Sequence, residues 1–403
     1  MKKLITTFIV IAMVAVFFVG CASPSTTPEP AASPTPAEAG AKAPKVPAGI
    51  LPLASDSATR IDNTNALIAE LAEAASNYDK NAAKYTYTVN CVDPAGTAQT
   101  KLIYAWADAV LVATEGAVHL EIGVSNAFSP GGSTESINEL RNGLVDFAIT
   151  LQNYTISYWP LSLVIQNPAL GCSGTAVASS VIWDIYKSMP AVKDEYKTHG
   201  VPLFVFANDS VPLSYKAASE ITNISEIKGN IRAGAGPMQM FVNEVGASVF
   251  ACPITDVYTN IQNGVIDYLI AAWQAIDSFK LSDPGVCNYF LDAKIGNHAH
   301  VLIANLDTWA EIERNGYADA IMSVSGDYLL NLISTYEEDE RTSREHILAN
   351  GGSIHVPSGQ LATDLQTAYD NVAKRWVEET SGEAQVVFDK AVELASHYNG
   401  LYH

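Results

Sequence analysis

The chain has 403 residues and a formal net charge of −20 at pH 7. This acidic balance argues against nucleic acid as a partner, because phosphate backbones are bound by clustered Lys and Arg. Hydrophobic residues make up 48% of the sequence, and the length is enough for two domains with sizeable cores. The composition therefore predicts a globular protein that does not bind nucleic acid.

The first 21 residues have the pattern of an export signal. Lys2 and Lys3 precede an apolar run that is short for a membrane span, and Phe18-Val19-Gly20-Cys21 resembles a bacterial lipobox. Cleavage after a signal peptide of residues 1–20 would leave Cys21 to carry the lipid. The alternative is an ordinary signal peptide cleaved nearby. In both cases we expect an extracytoplasmic protein, either lipid-anchored to the outer face of the cell membrane or periplasmic.

Residues 21–59 mix Ser, Thr, Pro and Ala without hydrophobic periodicity, which predicts a semi-extended linker. A helical pattern follows over residues 60–84. Helices and strands then alternate, which indicates an α/β fold with parallel sheets and crossover helices. The later part, from residue 308, reads as nearly all helix with a strand at 353–356. The predicted strands are 85–92, 119–124, 146–151, 201–206, 248–251 and 268–271, and the predicted helices are 97–114, 133–142, 176–188, 238–245 and 256–263.

The cysteines beyond Cys21 are scattered with no CxxC spacing, which makes a zinc site a poor interpretation. In an exported chain a Cys252–Cys287 disulfide is one possibility. Unpaired cysteines that pack as small apolar side chains are the other, and this second reading also covers Cys91 and Cys172.

The usual catalytic motifs are absent from the sequence: there is no GxSxG, HExxH, Walker loop or GxGxxG. His298 and His300 would lie on one face of a strand, as two metal ligands might, but the sequence places no third ligand beside them. We therefore expect no enzyme activity, no cofactor and no metal.

Three segments carry a family resemblance when they are taken in order. They are ESINELRNGLVDFAI at 135–149, the run from Ile224 that begins ISEIKGNIRAGAGP and continues through ITDVYTNIQNGVIDYL, and ILANGGSIHVPSG near the C-terminus. Together they resemble the solute-binding subunits of tripartite ATP-independent periplasmic (TRAP) transporters, of the C4-dicarboxylate-binding type. The resemblance covers roughly residues 85 to 400.

The resemblance implies a two-lobed, periplasmic-binding-protein-like α/β fold. Two mostly parallel sheets would flank a cleft, and the C-terminal part would be helical. Lobe one would hold residues 85–210 and 298–350, and lobe two residues 211–297 and 351–403. A long helix that spans both lobes in the family would correspond to residues 307–336. The implied function is that of an extracytoplasmic receptor that binds a small organic acid and delivers it to TRAP membrane permease subunits.

Arg232 lies in the segment that resembles the family's ligand-binding motif, where the arginine pairs with the ligand carboxylate. A guanidinium keeps its proton, and its fork matches two carboxylate oxygens. The alternative is a salt bridge to one of the chain's own acids. The sequence departs from the family after Asp267, where Tyr268 begins an apolar run in place of a polar segment that contacts the ligand.

Further candidates follow from strand ends, because the carboxyl ends of strands in open α/β sheets face the ligand cleft. Tyr154 and Trp273 could sandwich a ring or an alkyl tail, although core packing is the alternative for both. If both line the cleft, the ligand is an apolar or aromatic monocarboxylate. The candidate ligand-binding residues are Arg232, Asn90, Gln152, Asn153, Tyr154, Asn208, Asp209, Tyr268 and Trp273.

Two other classes remain open at this point. A binding lipoprotein of an ATP-driven importer or of a sensor would share this architecture, since fold alone does not fix function. A surface hydrolase would require a catalytic group that none of the common motifs identifies.

Overall fold

The computed structural model describes residues 45–403. The predicted signal peptide, Cys21 and the linker up to residue 44 lie outside the described residues. The described helices are α1 (Ser57–Ala75), α2 (Ala98–Ala113), α3 (Ser136–Arg141), α4 (Thr175–Ser188), α5 (Pro190–Asp194), α6 (Pro237–Glu244), α7 (Ile254–Gln262), α8 (Trp273–Ser278), α9 (Leu306–Arg314), α10 (Ala318–Ser323), α11 (Ser334–Ala349), α12 (Gly359–Glu379) and α13 (Ala384–Leu401). The strands are β1 (Tyr85–Cys91), β2 (Val118–Gly123), β3 (Phe147–Leu151), β4 (Val201–Ser210), β5 (Leu213–Tyr215), β6 (Asn230–Arg232), β7 (Ser248–Val249), β8 (Tyr268–Ile270), β9 (Tyr289–Leu291), β10 (Asn297–Ala304) and β11 (Ser353–His355).

The strands form two sheets, which confirms the predicted two-lobed α/β fold. The first sheet has the order β2-β1-β3-β10-β4, and the second has the order β11-β9-β5-β8-β6-β7. Both sheets are mixed, because β10 and β5 each run antiparallel to both of their neighbours. The chain passes from β4 directly into β5 and returns from β9 directly into β10. The first strand after each of these two connections, β5 in the second sheet and β10 in the first, is therefore the antiparallel one. We call the first sheet with its packed helices the first lobe, and the second sheet with its helices the second lobe.

The two passages are hydrogen-bonded to each other where they cross between the lobes. The Val211 N–H donates to the Gly296 carbonyl at 3.0 Å, and the Ile295 N–H donates to the Val211 carbonyl at 2.9 Å. Gly296 has a φ of 76°, and a Cβ there would lie 2.0 Å from the Gln166 carbonyl oxygen. Only glycine fits this backbone. These two paired segments are the connections from β4 to β5 and from β9 to β10.

Apolar helix faces cover the sheets. In the first lobe, α2 places the fully buried Trp106 edge-on against Phe147 of β3, with ring centroids 5.6 Å apart. Leu102 and Val110 of the same helix are also fully buried. In the second lobe, α6 and α12 meet through Phe241 and Tyr369.

The N-terminal helix begins earlier and ends earlier than the sequence pattern predicted. Asp56 caps α1, because its carboxylate accepts the Thr59 N–H at 2.8 Å. The predicted linker, which ends at residue 59, therefore overlaps the start of α1. The predicted helix, which ends at residue 84, continues beyond the end of α1 at Ala75. Arg60 of α1 also binds the chain that precedes it, donating to the Ala54 carbonyl at 2.9 Å.

The C-terminal part differs from the expectation in two respects. Residues 307–336 do not form one long helix, because α9 ends at Arg314 and is followed by α10, a 3-10 segment at Gly326–Leu332 and then α11. Helix α11 contacts α1 and α2 in the first lobe and α8 in the second lobe. The final helix, α13, packs on α4, and its Val387 and Ala391 belong to the core of the first lobe. It therefore lies with the first lobe, although the whole of residues 351–403 was assigned to the second.

The cysteines of the described chain are free. Of the two possibilities left open by the sequence, the structure has the unpaired thiols and not the Cys252–Cys287 disulfide. Burial raises the pKa of Cys172 and of Cys287 to about 12, so both thiols stay protonated at neutral pH. Within residues 45–403, no helix combines the length and the apolar character needed to cross a membrane.

Candidate functional site

A cavity of about 290 Å³ lies between the two sheets, where strand carboxyl ends from both lobes meet. This is the position at which open α/β sheets bind ligands. The first lobe contributes the turn after β1, the segment after β3 and the start of β10. The second lobe contributes the end of β6 and the segments around β8 and α7. Lining residues include Asp93, Asn153, Tyr154, Asn208, His298 and His300 from the first lobe and Arg232, Ile254, Ala271, Ala272, Gln274 and Ala275 from the second.

Arg232 ends β6 and is partly buried at the cavity. Its Nε lies 3.4 Å from the Cys252 carbonyl oxygen, and its Nη1 lies 3.5 Å from the Ile270 carbonyl oxygen. These are long contacts for a guanidinium. It forms no ion pair with any carboxylate of residues 45–403, so the alternative of an internal salt bridge is not realised there. Burial lowers its pKa, but a guanidinium remains charged at any ordinary pH.

His298 and the asparagines beside it form a neutral polar wall. The His298 backbone N–H donates to the Asn208 side-chain oxygen at 2.9 Å. The Asn153 amide nitrogen lies 3.5 Å from His298 Nδ1. Burial, assisted by the charge of Arg232, lowers the pKa of His298 to about 3. The imidazole is therefore uncharged at neutral pH and offers hydrogen bonds without competing with Arg232 for an anion.

His300 lies two residues further along β10 and also lines the cavity. Its ring stacks on Phe206 with centroids 4.9 Å apart, and its Nδ1 lies 3.5 Å from the Gln99 amide nitrogen. Burial, with a contribution from His298, lowers its pKa to about 3. No group of three or more His, Cys, Asp or Glu side chains within residues 45–403 is arranged to hold a metal ion.

His300 is buried in its uncharged form, so the free energy of unfolding should decrease at acidic pH. The unfolded chain binds a proton near pH 6.5, whereas the folded chain does so only near pH 3, so stability falls as the pH drops below 6.5. By pH 5 the loss from this residue is about 2 kcal/mol. We expect the His300→Gln variant to show a smaller decrease in melting temperature between pH 7.5 and pH 5 than the unmodified protein. An equal decrease in both proteins, measured by circular dichroism, would contradict this.

Tyr154 lies on a short 3-10 turn directly after β3 and lines the cavity. Burial raises the pKa of its hydroxyl. The charge of Arg232 opposes this shift, and the charge of Asp93 adds to it. The hydroxyl is therefore within electrostatic reach of both charged side chains.

Asp93 is a site residue that the sequence interpretation missed. It follows β1 by two residues and lines the cavity. Burial raises its carboxyl pKa to about 6, and the nearby Asp339 adds to the shift. The strand-end rule that names Gln152, Asn153 and Tyr154 after the strand at 146–151 also applies to Asp93, which directly follows the predicted strand at 85–92.

Three of the predicted strand-end residues lie beside the cavity rather than on its lining. The Asn90 amide donates to the side-chain oxygen of Asn126, in the segment after β2, at 3.2 Å. Gln152 is fully buried and donates to the Tyr196 hydroxyl. The Asp209 carboxylate accepts the Ser210 N–H at 2.6 Å and lines a different cavity, next to Arg60.

The two aromatic candidates of the second lobe are also directed away from the cavity. Trp273 is completely buried, and the Arg344 guanidinium covers its ring 3.8 Å from the centroid. Tyr268 donates to the Glu226 carbonyl at 2.9 Å. Ala271 and Ala272, between these two residues, form the actual wall.

Known proteins with this arrangement are solute receptors. A model of the family "bacterial extracellular solute-binding protein, family 7" (DctP) matches residues 89–380. The outer membrane transporter protein TsaT of Comamonas testosteroni is 24% identical over 324 residues, which cover 79% of this chain and 91% of that protein.

Solved TRAP solute-binding proteins share the fold. One from a marine metagenome, specific for aromatic acid ligands, superimposes with a TM-score of 0.71 at 19% identity, covering 78% of this chain and 99% of the other. One from Rhodoferax ferrireducens, in complex with copurified benzoate, gives 0.70 at 17% identity, covering 78% and 98%. The family match over residues 89–380 spans well over half of the chain, and the described sheets have the two-lobed arrangement of these structures. The chain therefore belongs to the bacterial extracellular solute-binding protein family 7, the DctP family of TRAP solute-binding proteins.

Proposed function

We propose that this protein captures a small organic acid in the cleft between its lobes and delivers it to the membrane subunits of a TRAP transporter. The observation that carries the proposal is Arg232, a cation that lines the cavity and has no carboxylate partner among residues 45–403. A ligand carboxylate would supply the missing partner and accept two parallel hydrogen bonds from the guanidinium. His298 and Asn153 provide further hydrogen-bonding groups without adding charge.

Binding at this position would favour a closed arrangement of the lobes. Arg232 belongs to the second lobe, whereas Asn153, Tyr154 and His298 belong to the first. A ligand that contacts both sets binds more tightly when the lobes are close, so it shifts the population towards closure. The paired connecting segments at Val211 and Gly296 would absorb the rotation.

The similar structures support an acid ligand. The marine and Rhodoferax proteins carry aromatic acids, and a Bordetella bronchiseptica protein of this kind binds mandelate. The wall around Ile254, Ala271 and Ala272 is apolar and would accommodate a ring or an alkyl group. A lipid on Cys21, which lies outside the described residues, would keep the receptor near its transporter after export.

A thermal-shift screen tests the proposal. The purified protein is unfolded and refolded to remove carried-over ligand, and is then mixed with aromatic, aliphatic and dicarboxylic acids, sugars and amino acids. A ligand that binds only the native state raises the melting temperature. We expect monocarboxylic acids to produce the shift. A response only to sugars or to other solutes without a carboxylate would instead favour a receptor for an ATP-driven importer or a sensor.

A further inference from the structure

The Asp93 side chain lines the interlobe cavity and has no partner for its carboxylate among residues 45–403. Its carboxylate accepts no hydrogen bond and forms no ion pair within the described chain; its backbone N–H donates to Gln99 Oε1, and its carbonyl accepts the Ser125 N–H. The nearby carboxylate of Asp339 is differently placed, because Lys101 pairs with it at 2.9 Å and the Ala98 N–H donates to it. Lys101 therefore forms its ion pair with Asp339 and not with Asp93.

Asp93 and Arg232 both line this cavity, Asp93 from the first lobe and Arg232 from the second. They do not pair with each other within residues 45–403, and the pKa of the Tyr154 hydroxyl responds to the charges of both. The cavity lining also includes apolar side chains, among them Val92, Leu151 and Ala272. A ligand held by its carboxylate at Arg232 would extend along this wall towards Asp93.

The chemistry of Asp93 restricts what that end of the ligand can be. A purely apolar group would complete the desolvation of a carboxylate that has no hydrogen bond, which is unfavourable. A second carboxylate would bring like charges together. A hydroxyl or an ammonium group would donate a charge-assisted hydrogen bond, which is among the stronger polar contacts in proteins.

We propose that the ligand is an organic acid that also carries a hydrogen-bond donor, a hydroxyl or an ammonium group, at the end away from its carboxylate, and that Asp93 accepts this hydrogen bond. The inference rests on the proposed function of the cleft and narrows it. Asp93 is thereby a specificity-determining residue that favours hydroxy or amino monocarboxylates over dicarboxylates.

Isothermal titration calorimetry with matched benzoates tests this proposal. The acids are methyl-, hydroxymethyl- and aminomethylbenzoate, each as the meta and para isomer, with the corresponding benzenedicarboxylates. We expect at least one hydroxymethyl or aminomethyl acid to bind about tenfold or more tightly than its methyl counterpart. A preference for the hydroxymethyl acid identifies a hydroxyl as the donor, and a preference for the aminomethyl acid identifies an ammonium group.

Two variants of Asp93 assign the effect to this side chain. Asp93→Ala removes the acceptor and should abolish the donor's advantage. Asp93→Asn keeps the size and an acceptor oxygen but removes the charge, so it should weaken the advantage and improve dicarboxylate binding. Circular dichroism confirms that each variant is folded. The advantage should also decline as the pH is lowered from 7.5 to 5, because protonated Asp93 is a weaker acceptor.

The possible failures are distinguishable. If the methyl acid binds as tightly as the donor-bearing acids, and Asp93→Ala changes none of the affinities, the inference about Asp93 is wrong while the organic-acid receptor stands. If no acid in the series binds, and no aliphatic or dicarboxylic acid raises the melting temperature in the screen, both the receptor proposal and the inference are contradicted.

Discussion

Replacing Arg232 with alanine is expected to abolish binding of the acid ligand. The guanidinium is the cavity's unpaired cation within residues 45–403, and removing one partner of a buried charge pair usually costs 2–5 kcal/mol. The dissociation constant should therefore rise by about 100-fold or more. Titration calorimetry on the unmodified protein and the Arg232→Ala variant, with the best acid from the screen, measures this effect.

The stability of the ligand-free protein should hardly change in the same variant. Arg232 makes only two long contacts to carbonyl oxygens, at 3.4 and 3.5 Å, and its burial is unfavourable without an anion. Arg375→Ala is a matched control, because Arg375 lies on the exposed face of α12 and pairs only with Glu379 of the same helix. Arg232→Lys should recover part of the affinity, since it restores the charge but not the fork. Retention of tight binding in Arg232→Ala would reject the carboxylate role.

Breaking the buried ion pair between Arg60 and Glu337 should cause the largest loss of stability. The Arg60 Nη2 and Nε atoms contact the Glu337 carboxylate at 2.7 and 3.0 Å, and the two side chains are only 5% and 7% exposed. Removing one partner leaves the other charge buried and unpaired. We expect the Glu337→Gln variant to lose about 3 kcal/mol of unfolding free energy. Urea denaturation followed by circular dichroism measures this loss.

The exposed pair of Arg341 and Glu345 provides the control on the same helix, α11. These side chains are 56% and 61% exposed, so Glu345→Gln should change stability by less than about 0.5 kcal/mol. If Glu337→Gln is no less stable than this control, the interaction of α1 with α11 contributes little to the fold. A large difference would show that the N-terminal helix, which precedes the part matched by the family model, is integral to the folded protein.

Periodicity in the sequence located most of the elements near the cleft. The prediction of a helix at 97–114 differs from α2 by one residue at each end, and the strand at 146–151 differs from β3 by one residue. Both segments have strong patterns and clear boundaries, such as the Thr97 cap of α2. The family resemblance added what periodicity cannot provide, the assignment of these elements to two lobes.

The orientation of individual side chains was harder to predict. Trp273 and Tyr268 were nominated for the ligand, but one packs beneath Arg344 and the other bonds to Glu226. A three-residue strand such as β8 is too short for its alternation to indicate which side faces the cleft. The packing of α13 on α4 is a tertiary contact between residues about 200 positions apart, and no local pattern encodes it.

The most direct test is a crystal structure of the protein with an acid that gives a thermal shift. The account predicts that the ligand carboxylate lies in the cavity between the lobes, with its oxygens within hydrogen-bonding distance of the Arg232 guanidinium and with His298 and Asn153 beside it. An acid bound with its carboxylate away from Arg232, or bound in another cavity, would contradict the account.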